Sequence, residues 1–190
     1  MDVKEAIKTR RTVRKFKDEP VPDEVLLDIL ETAKWAPSPV NSQPWQFIII
    51  RDKETLKKLR EHAKYGAHLL DAPMAVAVVV SHIEGFHWYN EIEENKYAGA
   101  VVATHIMLSA WENGVGTGWV SIERDKVNEI LGVPSDHTVI TVMPIGFSAE
   151  AVASPKDDDR KPIEWMVFSE EFGERFPRID KARVEEKWKK

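Results

Sequence analysis

Hydrophobic positions divide the chain into alternating segments of helical and strand character. Apolar residues with helical spacing predict helices over residues 23–35 and 53–64. The segment 72–81 is continuously apolar, as expected of a strand that is covered on both faces. Further strands are predicted over residues 45–51, 117–122, 137–147 and 163–168. This alternation favours a mixed α/β sheet with helices on both faces.

One predicted helix has almost no polar face. It runs from Lys96 to Asn113, and such a helix is buried either in its own core or against another subunit. Its small residues would allow another backbone to approach closely; they are Ala98, Gly99, Ala100 and Ala103. The acidic and aromatic segment before it, His82–Asn95, is predicted to be a loop or a short mobile helix.

Composition indicates one soluble globular domain and excludes several kinds of chemistry. The chain has 190 residues, 43% hydrophobic and 31% charged, with a formal net charge of −5. It contains no cysteine, which excludes disulfides, thiolate zinc sites, iron–sulfur clusters and thiol catalysis. No apolar run is long enough to span a membrane and the N-terminus lacks an apolar signal core, so we expect a cytoplasmic protein without a membrane partner. A net negative chain with one short basic cluster also argues against nucleic acid as the main partner.

The basic cluster lies near the N-terminus, where residues 9–17 read TRRTVRKFK. Five cations within nine residues of an acidic chain indicate a bound anion, and arginine suits the bidentate recognition of phosphate. Asp2 and Glu5 have the spacing of a helix capping box, which places the arginines at or just past a helix end. A solvated helix end is the alternative for an isolated arginine pair.

Two later stretches each leave two interpretations open. The sequence GVGTG at residues 114–118 is either a tight helix-to-strand turn or a backbone path that lies flat against a planar ligand. It is not a dinucleotide fingerprint, because it follows a helix and opens a strand. Arg160 and Lys161 follow three aspartates and are either part of a solvated loop or a second pair of anion contacts. The six histidines have no metal-ligand spacing, so no metal site is predicted.

Four stretches, taken in order, resemble the nitroreductase family of FMN-dependent oxidoreductases. They read RRTVRKF, APSPVNSQPW, GVGTGWV and RKPIEWMVF, and together they cover nearly the whole chain. The resemblance implies a single domain over residues 1–190 with a three-layer α+β or α/β fold, in which a mixed central β-sheet is flanked by helices. It also implies an intertwined homodimer with two FMN molecules at the subunit interface. Residues 169–190 would form a C-terminal extension that packs on the partner subunit.

The resemblance further implies which residues bind the flavin. The phosphate, ribityl chain and O2 side of the ring would be bound by Arg10, Arg11, Thr12 and Arg14. The partner subunit would contribute Pro37, Ser38, Pro39 and Asn41. The backbone facing the ring near N5 and O4 would be that of Gly118, Trp119, Val120 and Ser121. The late basic pair that closes on the phosphate would be Arg160 and Lys161.

The chain departs from the family pattern at a few positions. Thr12 is commonly serine there, and Pro39 and Ser121 are often glycine. His68 falls near a position where some relatives have a flavin-contacting lysine, but a core histidine is the favoured interpretation. Trp88 and Tyr89 are predicted to cover the flavin face and to contact the substrate.

The implied activity is a ping-pong exchange of electrons. NADH or NADPH reduces FMN at N5 and leaves, and a nitroaromatic, a quinone or a similar electron-poor small molecule takes its place. No acid–base side chain is needed, so no catalytic residue is assigned. A positive group such as Arg14 near the N1–O2 edge would stabilise the anionic reduced ring. The alternatives are a relative with different flavin chemistry, namely reductive dehalogenation or flavin fragmentation, and a non-enzymatic flavin-binding protein.

Overall fold

The structure is a computed structural model that describes residues 1–82, 91–153, 156, 160–174 and 176, with residues 91–93 described by their backbone. The chain forms two compact units, residues 1–153 and residues 154–190. The elements of the first unit, in chain order, are α1 (Val3–Thr9), α2 (Asp23–Ala33), β1 (Trp45–Ile50), α3 (Lys53–Glu61), β2 (Ala63–Lys64), β3 (Met74–Ser81), α4 (Glu91–Glu112), β4 (Gly116–Thr117), β5 (Ser121–Ile122), α5 (Arg124–Leu131) and β6 (His137–Gly146). Among the described residues, no helix is long and apolar enough to cross a membrane.

A four-stranded sheet organises the first unit, in the order β1-β3-β6-β4. Its named strands pair antiparallel, and a parallel bridge between Thr12 and Thr117 extends the sheet beyond β4. Strands β2 and β5 pair with each other in a separate antiparallel sheet of two strands. The predicted mixed sheet with flanking helices is therefore confirmed.

The central strand β3 is buried along its whole length, because both faces of the sheet are covered. Successive side chains of a strand point to opposite faces. Val76 and Val78 accordingly lie in a core cluster with side chains of α2 and α4, whereas Ala75 and Ala77 lie in a second cluster with side chains of α3 and α5. The two clusters lie on opposite faces of the sheet, so the fold has three layers: α2 with α4, the sheet, and α3 with α5.

Helix α4 is buried against the sheet of its own chain. Val102, Ala103, Ile106 and Ala110 on this helix are fully buried. The small residue that allows the closest approach is Gly99, where an added Cβ would lie 2.7 Å from side-chain atoms of both Val80 and Ile140. The first of the two interpretations of this apolar helix, burial in its own core, therefore holds for this face.

Two predicted strands differ in the structure. The predicted strand 117–122 is divided into β4 and β5, because Thr117 pairs with Ile145 in the main sheet whereas Ser121 pairs with Lys64 in the small one. The predicted strand 163–168 was wrong in its first half, where Ile163–Trp165 forms a 3₁₀ turn. The N–H of Trp165 donates to the carbonyl of Pro162 at 3.1 Å, so the chain turns where a strand would have extended.

Three predicted helix boundaries also shift. Helix α2 ends at Ala33, two residues early, and Trp35 is left 82% exposed. Helix α3 ends at Glu61, since Ala63 and Lys64 pair with β5. Helix α4 begins at Glu91 rather than Lys96, so the last part of the segment predicted as a loop or a short mobile helix belongs to α4.

Candidate functional site

The basic cluster begins where helix α1 ends, as the sequence predicts. The Asp2 carboxylate accepts a hydrogen bond from the Glu5 N–H at 2.8 Å, and Arg10 occupies the C-terminal cap. The Arg11 guanidinium donates to the carbonyls of Lys8 at 3.1 Å and Arg10 at 2.8 Å. Carbonyls at a helix end lack partners within the helix, so Arg11 supplies donors to that end.

The chain then joins the glycine-rich stretch. Thr12 forms the parallel bridge with Thr117, and the Val13 N–H donates to the Thr117 carbonyl at 3.0 Å. A Cβ added to Gly118 would lie 3.3 Å from the Thr12 Cγ2 atom. The structure thus brings together two of the four stretches that the sequence assigned to a flavin site, at Thr12 and at Gly118.

His68 lies next to Gly118, and the sequence favoured its interpretation as a core histidine. Its side chain is only 7% exposed, and its Nε2 atom has no hydrogen-bond partner among the described residues. An unsatisfied buried polar atom costs about 1–3 kcal/mol, so its retention needs an explanation. A Cβ added to Gly118 would lie 2.8 Å from this Nε2 atom. No periodicity in the sequence marks His68; only the comparison with the family lysine pointed to the position.

The surroundings of this imidazole favour its uncharged form. Burial lowers the pKa of His68 below its usual 6.5, and the nearby Arg14 lowers the pKa further. Asp71 and a hydrogen bond with the Tyr65 backbone act in the opposite direction. Since protein sites that bind or react often contain groups with perturbed pKa values, this shift supports a functional interpretation of the region.

Backbone groups of residues 118–120, between β4 and β5, are fixed by hydrogen bonds. The Gly118 N–H donates to the Pro144 carbonyl at 3.3 Å, and the Val120 carbonyl accepts from the Thr141 hydroxyl at 3.0 Å. Val120 is 1% exposed, whereas the neighbouring Trp119 is 39% exposed. The fixed backbone and the exposed indole are compatible with a surface against which a planar ligand could lie.

The proline-rich segment contains a strained turn. Val40, Asn41 and Gln43 have positive φ angles of 47°, 59° and 47°. For a β-branched residue such as Val40 this conformation is a genuine outlier. Ser38 supports the turn, because its hydroxyl accepts from the Gln43 N–H at 2.9 Å. The buried Ser42 hydroxyl has no partner in the part of the chain that the structure describes.

Such strain of about 1–3 kcal/mol per residue is concentrated at ligand-binding and switch regions. The turn Pro39–Asn41 contacts α4, and Pro37 before it is exposed. Residues 40–43 contain no glycine, so these positive φ angles were not predicted.

The remaining predicted residues are not tested by these contacts. Arg160 and Lys161 are exposed residues of the second unit, just before Pro162 and the 3₁₀ turn. Their convergence with Arg10 on one phosphate stays a prediction. Trp88 and Tyr89 lie outside the described residues.

Comparison with known proteins gives concordant matches. A model described as the nitroreductase family matches residues 7–96. A protein of Methanothermobacter thermautotrophicus, named for NADH dehydrogenase and NAD(P)H nitroreductase, is 35% identical over 159 residues, which are 79% of each chain. The solved structure of an FMN-dependent nitroreductase of Clostridium difficile superposes with a TM-score of 0.74 at 29% identity, covering 88% of this chain and 98% of that one. Human iodotyrosine deiodinase 1 is 25% identical over 202 residues, 86% of this chain and 66% of the relative.

Proposed function

This chain belongs to the nitroreductase family, and on that premise we propose that it is an FMN-dependent oxidoreductase that passes electrons from NADH or NADPH to electron-poor small molecules. Nitroaromatics and quinones are the acceptor classes that we propose. The names of the relatives from Methanothermobacter thermautotrophicus and Clostridium difficile support both the electron donor and FMN.

The bridge between Thr12 and Thr117 is the observation that carries this proposal. FMN combines a phosphate of about two negative charges with a flat, polar-edged ring, so its site needs cations next to an open backbone surface. The bridge connects a cluster of arginines directly to the backbone at Gly118, where no side chain fits. The buried Nε2 of His68, which has no partner among the residues described, is a further polar atom at this place. These residues therefore fit the cofactor.

Each group of residues would have a distinct task with the cofactor present. Bound FMN would supply the two-electron exchange with the nicotinamide and the acceptor. Arg10 and Arg11, joined by Arg160 and Lys161, would bind the phosphate through charge-assisted hydrogen bonds. Arg14 lies close enough to lower the pKa of His68, and the same positive charge would stabilise negative charge on the ring.

The absorption spectrum of the purified protein tests the cofactor and the activity separately. We expect flavin bands at close to one FMN per chain, and anaerobic addition of NADH or NADPH should bleach them. A protein that binds no flavin would refute the proposal. Flavin that stays oxidised with both donors would instead favour a non-enzymatic flavin-binding protein.

Reductive dehalogenation is a second candidate, favoured by the match to iodotyrosine deiodinase. The competing acceptors can be compared after one reduction of the bound flavin, by mixing it with a nitroaromatic, a quinone or 3-iodo-L-tyrosine. We expect reoxidation to be fastest with the first two. Release of iodide at a higher rate than nitroaromatic reduction would assign the chain to dehalogenation.

We further propose that the protein is a homodimer whose flavin sites include residues of both subunits. Exposed apolar side chains support this, since Val3 and Ile7 on α1 are 74% and 59% exposed and Tyr97 on α4 is 59% exposed. Val3 and Ile7 are spaced four residues apart and so share one face of α1. Exposed apolar patches commonly mark interfaces between proteins.

Sedimentation velocity provides the test of the dimer. We expect a single species of twice the 21.7 kDa chain mass that carries the flavin absorbance. Substitution of Ile7 by aspartate should shift this species toward the monomer and release FMN, because a charge would be buried at the interface. A monomer that retains stoichiometric FMN would contradict the shared site.

A further inference from the structure

The contact between His68 and Gly118 excludes any side chain at position 118. A Cβ there would lie 2.8 Å from Nε2 and 3.0 Å from Cδ2 of His68, and 3.3 Å from Cγ2 of Thr12. Of the glycines that the structure describes, Gly114, Gly132 and Gly173 have positive φ, and Gly118 does not. Its backbone conformation would accept any residue, so the need for glycine comes from the neighbouring side chains.

The contact also requires a particular protonation state of the imidazole. A hydrogen bond with the Tyr65 backbone places the proton of the neutral ring on Nδ1, because Nε2 has no partner among the described residues. Nε2 then presents a lone pair toward the space that a Cβ at Gly118 would occupy. Protonation would put an N–H there, near the positive charge of Arg14 and without an acceptor in the described part of the chain. Burial, Arg14 and Arg60 all disfavour the charged ring, whereas Asp71 and the Tyr65 backbone favour it.

We propose that His68 is a positioning residue of the flavin site: its uncharged imidazole holds the Gly118–Trp119 backbone against Thr12, and its protonation releases that backbone. The inference rests on the proposed function, since the Gly118 backbone is the part predicted to face the flavin ring. It explains why a buried histidine with an unsatisfied nitrogen is retained where an apolar residue would pack without that penalty.

The sign of the pH effect follows from the protonation equilibrium. When the contact is broken, the imidazole regains a pKa near 6.5, and when the contact is made the pKa is lower. The contact is therefore complete above about pH 6.5 and is progressively lost as the pH falls below that value. FMN affinity should decrease over the same range. The phosphate of FMN also titrates near pH 6, so the His68 contribution is the difference between the unsubstituted protein and His68→Gln, whose amide does not titrate there.

A double-mutant cycle between positions 68 and 118 tests the contact itself. We expect Gly118→Ala to weaken FMN binding about tenfold, within the range that overpacking produces. In a His68→Ala background, which removes the imidazole, the same glycine substitution should change the dissociation constant less than about twofold, because coupled neighbours are not additive. Gly116→Ala is the matched control. Its Cβ would lie 2.4 Å from Val13 rather than near His68, so its effect should be equal in both backgrounds.

Two further readouts separate positioning from general packing. The unsubstituted protein should lose about threefold to tenfold more FMN affinity than His68→Gln between about pH 7.5 and pH 5.5. Imidazole NMR signals should give His68 a pKa below 6.5 in the apoprotein and a still lower pKa in the FMN complex, because FMN affinity depends on this protonation only if binding changes the pKa. If His68→Ala fails to fold, as judged by circular dichroism, His68→Gln replaces it as the background of the cycle. Gly118→Ala should then weaken FMN binding less than it does in the unsubstituted protein.

Equal effects of Gly118→Ala in both backgrounds, or identical pH profiles for His68→Gln and the unsubstituted protein, would overturn the inference while leaving FMN binding intact. Failure of the unsubstituted protein to bind FMN would overturn the proposed function and this inference together.

Discussion

Replacement of both Arg10 and Arg160 by alanine should weaken FMN binding by about 10²–10⁴-fold. A hydrogen bond that involves a charged group contributes about 1.5–3 kcal/mol, and each 1.4 kcal/mol is a factor of ten in the dissociation constant. Each single variant should therefore lose about one to two powers of ten. The measurement is a fluorescence titration of the apoprotein with FMN at fixed ionic strength, since salt screens such contacts.

Riboflavin and Lys15→Ala are the controls for this prediction. Riboflavin lacks the phosphate, so its affinity should change less than about threefold in the double variant if the two arginines act on that group. Lys15 belongs to the same basic stretch, but its ammonium is paired with Glu150 on the surface, so Lys15→Ala should leave FMN affinity nearly unchanged. An FMN affinity unaffected in the double variant would refute the assignment of both arginines. Equal losses for FMN and riboflavin would instead indicate damage to the whole site.

The parts of the fold that depend on apolar periodicity could be predicted from the sequence. Strand β3 is a continuous run of apolar residues because both of its faces are covered, with Val76 in one core cluster and Ala77 in the other. The cap of α1 by Asp2 could also be predicted, since it depends on residues only three positions apart. Such features are local or repeat with a fixed period.

Features that depend on partners far away in the chain could not be predicted in the same way. The division of residues 117–122 between two sheets depends on Ile145 and Lys64, which no local pattern reveals. The turn at Val40 carries positive φ angles without glycine, because the surrounding structure determines the conformation against the local preference.

The candidate site likewise contains parts that could be predicted from the sequence and parts that could not. The basic stretch and the glycines were visible as residue types with a known chemistry, and the bridge at Thr12 now joins them. His68 is buried, as expected of a core histidine, but the sequence could not show whether its second nitrogen has a hydrogen-bond partner. That property depends on Gly118, fifty residues further along the chain.

Substitution of Gly99 by leucine should lower the free energy of unfolding by about 3–5 kcal/mol, because α4 has no room for a side chain at this point. A single Cβ would already lie 2.7 Å from Cγ1 of Val80 and from Cγ1 of Ile140, both of which are buried in the sheet. For a chain of this size, the loss corresponds to a fall in melting temperature of about 10–15 °C. Urea denaturation followed by circular dichroism measures it.

A graded pair of variants distinguishes crowding from other effects of leucine. Gly99→Ala should be much milder than Gly99→Leu, since alanine gains about 1 kcal/mol in helix propensity against a smaller clash. Thr104→Leu adds a similar side chain at an exposed position of the same helix and should change the free energy of unfolding by less than about 0.5 kcal/mol. If Gly99→Leu is as stable as Thr104→Leu, α4 does not pack on Val80 and Ile140 as closely as the structure shows. The sheet would then be free to move relative to the helix that covers it, and the bridge at Thr117 would lose the rigid support on which the proposed flavin site depends.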